Sequence, residues 1–417
     1  MVISVTGGCS PSPDTDLGLH RGPVSGPAIA SFQGEPLIRV RIMAMVPDVS
    51  VECNSPILIG SDDGSPSTQV RTFEPPVTIS LRHDAFVITE GQSRPFLWSR
   101  SDLAVWAHDG TPLFLNGRSY TSVMRFIPVY PQGTQFDVVN ELPIEQYLPG
   151  VLEQELYPRW HPAAYRAQAI AARSYALWER QLHQDRHYDL ESSTDSQVFG
   201  GVSLRPRAQR AALDTRGQVL VYQQRVLPAF YSSCSGGRGQ DGVVAFPGRV
   251  EDLPPLRGRR HGWGRTSPYY DWGPVERSRS MLSRRIATWG QYRQHPVGRM
   301  DGLRGIHVAG QSRTGRPVAF VILDQQGREF LLSAESFRFS VNFQEDGLTM
   351  LRSDQLLRSS NVVVELTDRS VRFTGGRGFG HGVGLCQWSA QEMAQHGYSE
   401  RSILGFFYPT SQVFRVY

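Results

Sequence analysis

Glycine occupies every second position five times between Gly376 and Gly384. Such a segment has few side chains to bury, so its fold depends on backbone that meets another group closely. That group is either another backbone or a flat ligand such as a sugar chain. The segment is not a phosphate-binding loop, because no Lys-Ser/Thr pair follows it and its spacing differs from G-x-G-x-x-G before a helix.

The bulk composition excludes several functional classes. The 417 residues have room for two or three domains, or for one elaborated domain. Hydrophobic residues make up 40% of the chain, which is enough for a real core. The net charge of +4 is small for this length, so we expect no nucleic-acid partner. All 43 basic residues are arginine, which removes Schiff-base and P-loop lysine chemistry.

The amino terminus predicts a flexible tether. Residues 1–35 are rich in Pro, Gly and Ser. Cys9 follows Gly7-Gly8 and precedes a polar stretch, which fits the remnant of a bacterial lipoprotein signal with a lipid-bearing cysteine. The alternative is a disordered tail with an incidental cysteine. The chain has no apolar run of about 18 residues, so we expect no membrane-spanning helix.

Residues 36–140 have a β-rich texture. Short runs rich in β-branched and alternating residues predict strands, and Pro, Gly, Asn and Asp separate them. These runs are 37–42, 78–81, 85–89 and 135–139.

The texture changes at Pro143. From Ile144 to Arg180 the chain is rich in Ala, Leu, Glu and Gln, which favour helix. Pro162 suits a first helical turn, so we expect a helix over 165–178. Its many alanines leave little side-chain bulk, so neighbouring backbone can pack close to it.

The remainder predicts more strands and two further helices. A short helix is expected at 205–215, a β-rich return over 303–373, and a last helix over 390–396 that stops at Gly397. The predicted fold class is therefore α+β, with a β-rich amino-terminal portion, a central helical segment and a β-rich return around one cleft.

Three segments stand out as candidates for the chemistry. They are Asn140–Glu155 (N-E-L-P-I-E-Q-Y-L-P-G-V-L-E-Q-E), Ser232–Gly237 (S-S-C-S-G-G) and Gly376–Trp388 (G-R-G-F-G-H-G-V-G-L-C-Q-W).

These segments resemble the stage II sporulation protein D family, which also includes the amidase enhancer proteins. The family's N-x-L-P-x-E-x-Y-L-x-G-V stretch matches Asn140–Val151, and its next glutamate matches Glu155. The helix A-x-K-A-Q-A-x-A-A-R-T-Y-A of the family resembles Ala164–Ala176, and its G-R-G-x-G-H-G-V-G-x-x-Q element matches Gly376–Gln387.

Two weaker matches extend the resemblance, which runs in order over residues 36–417. The family's S-x-G-G element matches Ser233–Gly237 loosely, with one extra residue, and its terminal Y-Y-P-x-T resembles Phe407–Thr410. On this basis 141–417 is expected to be the catalytic portion.

The resemblance implies a peptidoglycan lytic transglycosylase. Such an enzyme cleaves the bond between N-acetylmuramic acid and N-acetylglucosamine without water. One acid protonates the glycosidic oxygen, and the C6 hydroxyl of the muramic acid closes on C1 to give a 1,6-anhydro end. A single carboxyl suffices, whereas ordinary glycosidases need a second one as nucleophile or base.

Glu155 lies at the family's catalytic position and is the predicted acid. A free glutamate has a pKa of about 4.3, so a general acid at neutral pH needs partly apolar surroundings. Leu156, Tyr157 and Trp160 are candidates for those surroundings. Glu153 is a secondary candidate for the acid.

The resemblance also supplies candidate substrate-binding residues. Gln168 and Arg173, on the matched helix, either bind sugar hydroxyls or hold loops and Glu155 in place. His381 either contacts glycan or is a hydrogen-bonded core histidine. The remaining candidates are Gln197, Ser233, Gly236, Gly237, Gln387 and Tyr408.

No cofactor and no metal are expected. The cysteines at 9, 53, 234 and 386 never approach C-x-x-C spacing, and one disulfide at most fits their number. Some family members carry zinc on two Cys and two His, partly in an H-C-Q element. The corresponding residues here are Asp195-Ser196-Gln197, with no cysteine nearby.

The main rival hypothesis is non-enzymatic. In it the chain binds wall glycan and stimulates a partner cell-wall amidase, as the family's amidase enhancer branch does. A third hypothesis, a sporulation-specific engulfment factor, rests on the family name alone. All three place the chain in the cell envelope or outside the cell, with a lipid anchor at Cys9 as one option.

Overall fold

The computed structural model describes residues 25–61, 70–82, 85–98, 103–129, 133–192, 197–345 and 347–417. The proposed lipid-anchor residue Cys9 and most of the expected tether lie outside this part of the chain. Two compact units divide it. We call residues 26–228 with 413–417 the amino-terminal unit, and residues 229–412, with Ser25, the carboxyl-terminal unit.

The amino-terminal unit is built on two larger sheets. The first has seven strands in the order β13-β1-β12-β11-β8-β3-β4, and the second has the order β2-β5-β6-β7. Two smaller sheets pair β10 with β9 and place β14 between β15 and β26. The strands are β1 (Leu37–Val46), β2 (Asp48–Val51), β3 (Ile57–Gly60), β4 (Val70–Phe73), β5 (Val77–Arg82), β6 (Ala85–Glu90), β7 (Phe96–Trp98), β8 (Leu103–Ala107), β9 (Leu113–Leu115), β10 (Arg118–Tyr120), β11 (Val123–Pro128), β12 (Phe136–Pro143), β13 (Leu190–Glu191), β14 (Gln218–Tyr222), β15 (Arg225–Val226) and β26 (Gln412–Arg415).

Three helices complete this unit: α1 (Ile144–Glu155), α2 (Pro162–Leu182) and α3 (Pro206–Asp214). The predicted alanine-rich helix is confirmed as α2. Pro162 starts it, and the side chain of His161 accepts a hydrogen bond from the Ala163 amide as its cap. The alanines of α2 are buried, so the helix packs within the unit with little solvent-facing surface.

The first described residues belong to the same unit. The Ile29 amide donates to the Gln224 carbonyl at 3.1 Å, and the Val226 amide donates to the Pro27 carbonyl at 2.9 Å. The segment from Gly26 to Glu35, expected as part of the tether, is therefore held against β15. Polar composition does not reveal such pairing, because the partner lies far away in sequence.

The carboxyl-terminal unit consists of small sheets and five helices among its described residues. Its sheets pair β16 with β25 and β17 with β24, and have the orders β18-β23-β22 and β19-β20-β21. The strands are β16 (Tyr231–Ser232), β17 (Asp271–Trp272), β18 (Val275–Ser278), β19 (Gly305–Val308), β20 (Ala319–Leu323), β21 (Glu329–Ser333), β22 (Val363–Leu366), β23 (Ser370–Thr374), β24 (Gly376–Arg377) and β25 (Leu385–Cys386). The helices are α4 (Gly242–Ala245), α5 (Arg279–Tyr292), α6 (Ala334–Asn342), α7 (Gln387–Gln395) and α8 (Glu400–Phe407).

One apolar core organises much of this unit. Leu282 and Ile286 of α5, Phe320 of β20, Phe337 of α6 and Phe373 of β23 are all fully buried in it. The rings of Phe320 and Phe337 stack with their centroids 4.0 Å apart. The core therefore joins helices and strands that are up to about ninety residues apart in sequence.

The predicted α+β class is confirmed, since both units combine helices with sheets. The boundary between the units falls after Pro228, whereas the texture change at Pro143 suggested one near residue 140. β12 and α1 are consecutive and belong to the same unit, so a change of secondary structure there does not separate domains. Within the described residues, no helix has the length and apolar character needed to cross a bilayer.

Candidate functional site

Glu155 is the last residue of α1 and is half-buried. Leu156, which follows it, is buried and has an extended backbone that ends the helix. Beyond it Trp160 is also buried, and its ring lies 5.3 Å from that of the exposed Tyr157. The candidate acid thus lies where α1 passes into a turn whose Leu156 and Trp160 are buried.

Arg205 holds the backbone on both sides of Glu155. Its Nη1 donates to the carbonyl oxygens of Glu153, at 2.9 Å, and Leu156, at 2.7 Å. The carboxylate of Glu153 accepts a hydrogen bond from Ser203 Oγ at 2.5 Å and lies 3.6 Å from Arg205 Nη2. Glu153 is therefore engaged with its own partners. No sequence pattern had pointed to Arg205.

Tyr147 and Gln197 form a buried pair near Glu155. Tyr147 Oη donates to Gln197 Oε1 at 2.8 Å, and Gln197 Nε2 donates to the Ala172 carbonyl at 3.3 Å. Burial raises the pKa of Tyr147 well above its usual range, and the negative charge of Glu155 adds to this. The phenol therefore stays protonated and remains a hydrogen-bond donor to Gln197.

Gln168 is 1% exposed on α2. Neither its Oε1 nor its Nε2 has a hydrogen-bond partner among the described residues. A buried amide without partners costs about 1–3 kcal/mol per group. Such groups are rare and call for an explanation, such as a bound water or a ligand.

Arg173 is fully buried and bound on several sides. Its Nε and Nη2 donate to the two carboxylate oxygens of Glu145 at 3.0 and 2.8 Å, and its Nη1 donates to the Gln218 carbonyl at 3.0 Å. Burial alone would raise the pKa of Glu145, but the Arg173 charge and the Gly217 amide outweigh it and lower the pKa. These contacts link α1, α2 and β14.

In the carboxyl-terminal unit the alternating glycines lie against the Ser232–Gly237 segment. Phe379 and Cys234 exchange both backbone hydrogen bonds, at 2.7 and 3.1 Å. A Cβ added at Gly378 would lie 2.5 Å from the Cys234 carbonyl oxygen, and one at Gly384 would overlap the Phe230 carbonyl oxygen. Of the two partners considered for this segment, the structure shows another backbone at these two glycines.

The other candidates of this unit surround the same contact. The Ser233 carbonyl accepts a hydrogen bond from the Trp388 amide at 3.1 Å, which places Gln387 beside it at the start of α7. Gly236 lies against Gly378, and Gly237 lies against the Tyr270 hydroxyl.

Tyr408 ties the end of α8 to this contact. It is fully buried, and its hydroxyl donates to the Phe230 carbonyl at 2.6 Å and accepts from the Leu385 amide at 3.1 Å. Burial raises the pKa of Tyr408, so the hydroxyl keeps its proton for the Phe230 carbonyl.

His381 is half-buried between aromatic rings. Its ring centroid lies 5.0 Å from that of Phe246, and its Nδ1 accepts a hydrogen bond from the Val383 amide at 3.0 Å. Burial lowers the pKa of His381 to about 4, partly offset by the charge of Glu335. The ring is therefore neutral at pH 7, with its proton on Nε2.

Cys234 and Cys386 are both buried, free thiols that hydrogen-bond to each other across this contact. The Ser235 amide and the Ser389 hydroxyl also donate to Cys386 Sγ, at 3.3 and 2.9 Å. The pairing of β16 with β25 brings the two thiols together.

The structure thus gathers the candidates into two groups, one in each unit. Glu155, Gln168, Arg173 and Gln197 lie on or beside α1 and α2. Ser233, Gly236, Gly237, His381, Gln387 and Tyr408 lie around the pairing of β16 with β25.

Comparison with known proteins shows which family this chain is similar to. Residues 132–222, which include α1 and α2, match the family model described as "Stage II sporulation protein". An uncharacterized protein of Brachyspira hyodysenteriae is 28% identical over 296 residues, covering 70% of this chain and 72% of that protein.

Two relatives from Bacillus subtilis carry descriptive names. "Stage II sporulation protein D" is 23% identical over 305 residues, covering 69% of this chain and 78% of that protein. "Amidase enhancer" is 24% identical over 287 residues, covering 63% of this chain but only 39% of that longer protein. The chain therefore resembles the stage II sporulation protein D and amidase enhancer proteins, and the match to the family model lies within its amino-terminal unit.

Proposed function

We propose that the chain is a peptidoglycan lytic transglycosylase with Glu155 as its acid. It cleaves the glycosidic bond between N-acetylmuramic acid and N-acetylglucosamine and leaves 1,6-anhydro ends. It works in the cell envelope or outside the cell, where its substrate is found. The names of its relatives support a role at the cell wall.

The observation that carries the proposal is the setting of Glu155. This carboxyl is half-buried at the end of α1, directly before the buried Leu156, and its charge acts on the phenol of Tyr147. Partial removal from water favours the protonated form of a carboxyl. Arg205 fixes the backbone around it, so a proton donor there has a defined position.

The chemistry needs one carboxyl acting twice. Glu155 gives its proton to the glycosidic oxygen as the bond to C1 breaks. The C6 hydroxyl of the muramic acid then attacks C1, and its proton returns to the Glu155 carboxylate. No water is consumed, so the products are the leaving sugar and the anhydro end. Acid–base help of this kind contributes about 10²–10⁴-fold.

Gln168 and Gln197 are assigned different roles. The unpartnered amide of Gln168 is suited to a sugar hydroxyl, since a hydrogen bond would satisfy a group that is costly to bury alone. The amide of Gln197 is occupied by Tyr147 and Ala172, so it fixes the orientation of the Tyr147 phenol. Arg173 is a structural residue by the same reasoning.

The test compares two substitutions two residues apart. Glu155→Gln should lower the release of glycan fragments from purified peptidoglycan by at least about 10²-fold. The free energy of unfolding should stay unchanged. Glu153→Gln is the matched control and should retain most of the activity, because its carboxylate is held by Ser203 and Arg205. Equal losses in both variants would remove Glu155 from its proposed role.

The second candidate function follows from the relative named "Amidase enhancer". In that case the chain binds wall glycan and stimulates a cell-wall amidase without cutting glycan. Wild-type and Glu155→Gln chains would then stimulate a purified amidase equally. A loss of stimulation that parallels the loss of cleavage would favour the enzyme.

A further inference from the structure

The carboxyl-terminal unit has a surface groove of about 420 Å³ that none of the candidate residues above lines. Arg257, Arg259, Arg260 and Arg313 line it together with Pro254 and Pro409. We call it the arginine groove. No Asp or Glu belongs to its described lining, so its walls present positive charge.

Two of its guanidinium groups are held by backbone oxygens. Arg259 Nη1 donates to the Phe406 carbonyl at 2.8 Å, and the Arg259 guanidinium lies 5.1 Å from the centre of the Phe406 ring. Arg260 Nε donates to the Thr314 carbonyl at 2.8 Å. Each guanidinium has five N–H groups, so one hydrogen bond orients it and leaves the remaining N–H donors available to a ligand.

The other two arginines are paired with acids. Arg257 Nη2 lies 2.8 Å from Asp252, and Arg313 Nη2 lies 3.3 Å from Asp241. Within the described part of the chain, no ion pair involves Arg259 or Arg260. The positive charge of the groove is therefore only half neutralised by the protein.

The loop that carries these arginines is fixed in place. The Gly258 amide donates to Asp241 Oδ1 at 2.6 Å, and the Gly239 amide donates to the Arg259 carbonyl at 3.0 Å. A Cβ at Gly258 would lie 2.6 Å from the Gly239 carbonyl oxygen, so the backbone segments around Gly239 and Gly258 are in contact. The guanidinium groups are thus presented by a rigid scaffold, which lowers the cost of binding.

Holding these charges together is unfavourable in the absence of a ligand. Burial, followed by the positive charges of Arg377 and Arg260, lowers the pKa of the nearby Arg238. Like charges at close range destabilise the folded chain, and an anion in the groove would relieve this repulsion.

We propose that the arginine groove binds a carboxylate group of peptidoglycan. This rests on the proposed function, which makes wall glycan the ligand. Arginine forks match carboxylates in a bidentate geometry. The groove has the volume of a small-ligand site, with proline faces beside the charges, whereas a phosphate polymer would need a longer basic track.

Peptidoglycan offers this carboxylate from two sources. Glycan with intact stem peptides carries it on the peptides, and glycan stripped of peptides carries it on the lactyl group of each muramic acid. The chemistry of recognition is the same in both, and binding measurements can separate them.

The experiment measures the binding of soluble glycan fragments to the full-length chain carrying Glu155→Gln, so that the ligand is not cut. Two fragments are compared, one with stem peptides and one without, each with its carboxylates free or amidated. Amidation of at least one fragment should weaken binding about tenfold or more, as for a lost charged hydrogen bond. The fragment that responds identifies the source. Unchanged affinities after amidation of both fragments would overturn the proposal.

Matched substitutions locate the effect. Arg259→Gln with Arg260→Gln should abolish the difference between free and amidated fragments, whereas Arg369→Gln, an exposed arginine of the same unit, should preserve it. If the double variant unfolds, Arg313→Gln alone, at a half-exposed side chain, should reduce the difference. A difference that persists in every folded groove variant would contradict the assignment.

Binding is measured without turnover, so its outcome is independent of catalysis. Cleavage lost in Glu155→Gln with a normal amidation effect supports both proposals. If the chain cuts glycan but binds free and amidated fragments equally, only the proposal for the arginine groove is refuted. If it binds them differently but never cuts glycan, only the proposed enzymatic activity is refuted.

Discussion

The helices around Glu155 and the glycine segment of the carboxyl-terminal unit are held in opposite ways. Around Glu155 the contacts run between side chains: Arg173 with Glu145, Arg205 with backbone oxygens, and Tyr147 with Gln197. In the glycine segment, Gly378 and Gly384 lie against backbone, and the other glycines lie so close to side chains that an added Cβ would meet them at 3.0 Å or less. One region therefore depends on the identity of charged and polar groups, and the other on the absence of side chains.

This difference shows how to interpret a long sequence motif. Most residues of both motifs build the framework, and few have polar atoms left for chemistry. In the first motif, Gln168 stands apart as a buried amide without a partner among the described residues, and Glu155 is the proposed acid. In the second motif, close contacts with other parts of the chain explain the alternating glycines without any ligand.

The largest expected effect is the removal of Arg173. Arg173→Met leaves the carboxylate of Glu145 partly buried without its main countercharge and should reduce the free energy of unfolding by about 3–5 kcal/mol. Urea unfolding measures it. Arg166→Met, on the same helix but partly exposed, should cost less than about 1 kcal/mol. Equal costs would mean that the side-chain network does not hold this region.

Adding one methyl group to the glycine segment is the corresponding test in the other unit. Gly384 has φ of +67°, and a Cβ there would overlap the Phe230 carbonyl oxygen. Gly384→Ala should therefore cost about 3 kcal/mol or more. Gly405, inside α8 with open space around it, is the control, since Gly405→Ala should be neutral or stabilising by up to about 1 kcal/mol. A tolerated Gly384→Ala would break the contrast.

Gln168 provides a test in which stability and activity move in opposite directions. Gln168→Met removes a buried amide without partners among the described residues and should stabilise the fold by about 1 kcal/mol or more. The same change should raise the substrate concentration needed for half-maximal cleavage, because a sugar contact is lost. A variant that is destabilised and fully active would assign Gln168 to the framework.

A further test is the pH dependence of the carboxyl-terminal unit, in which the effect per pH unit is small. Burial first, then the positive charge of Arg316, depresses the pKa of His381 to about 4 in the fold, while Glu335 opposes this. The unfolded chain takes up the proton first as pH falls below about 6.5. The contribution of the neutral His381 ring to the free energy of unfolding is thus fully present above that pH. It is lost as the pH falls toward 4, by up to about 1.4 kcal/mol per pH unit.

Unfolding at a series of pH values checks this sign. His261 and His295, whose pKa values burial also lowers, add to the same slope. His381→Gln should therefore reduce the slope without removing it. An unchanged slope would mean that the buried ring is not the source.

The sequence predicted the local features well. The alanine-rich helix predicted over 165–178 spans Pro162–Leu182, and the helix predicted over 390–396 spans Gln387–Gln395. It is not the last helix, because α8 (Glu400–Phe407) follows it. Proline at a helix start, glycine after a helix end and alanine in between are local signals, so one chain suffices to interpret them. The candidate residues likewise came from linear motifs.

The features it did not predict depend on distant partners. α6 lies within the stretch that was interpreted as a β-rich return. It was not predicted because its short run of Ser, Phe and Val has weak helical preference, and the helix forms by packing on the apolar core. β26 returns to the amino-terminal unit, and residues 26–35 pair with β15. Arg205 was missed because its targets are backbone oxygens, which leave no pattern in the sequence.

The most direct test of the proposed chemistry uses water labelled with heavy oxygen. Peptidoglycan is digested by the wild-type chain in labelled water, and the masses of the new sugar ends are determined. Attack by the sugar's own hydroxyl predicts anhydro ends that lack one water and contain no label. Ends that carry one labelled oxygen would show that water is the nucleophile, and the single-carboxyl account of Glu155 would then be wrong.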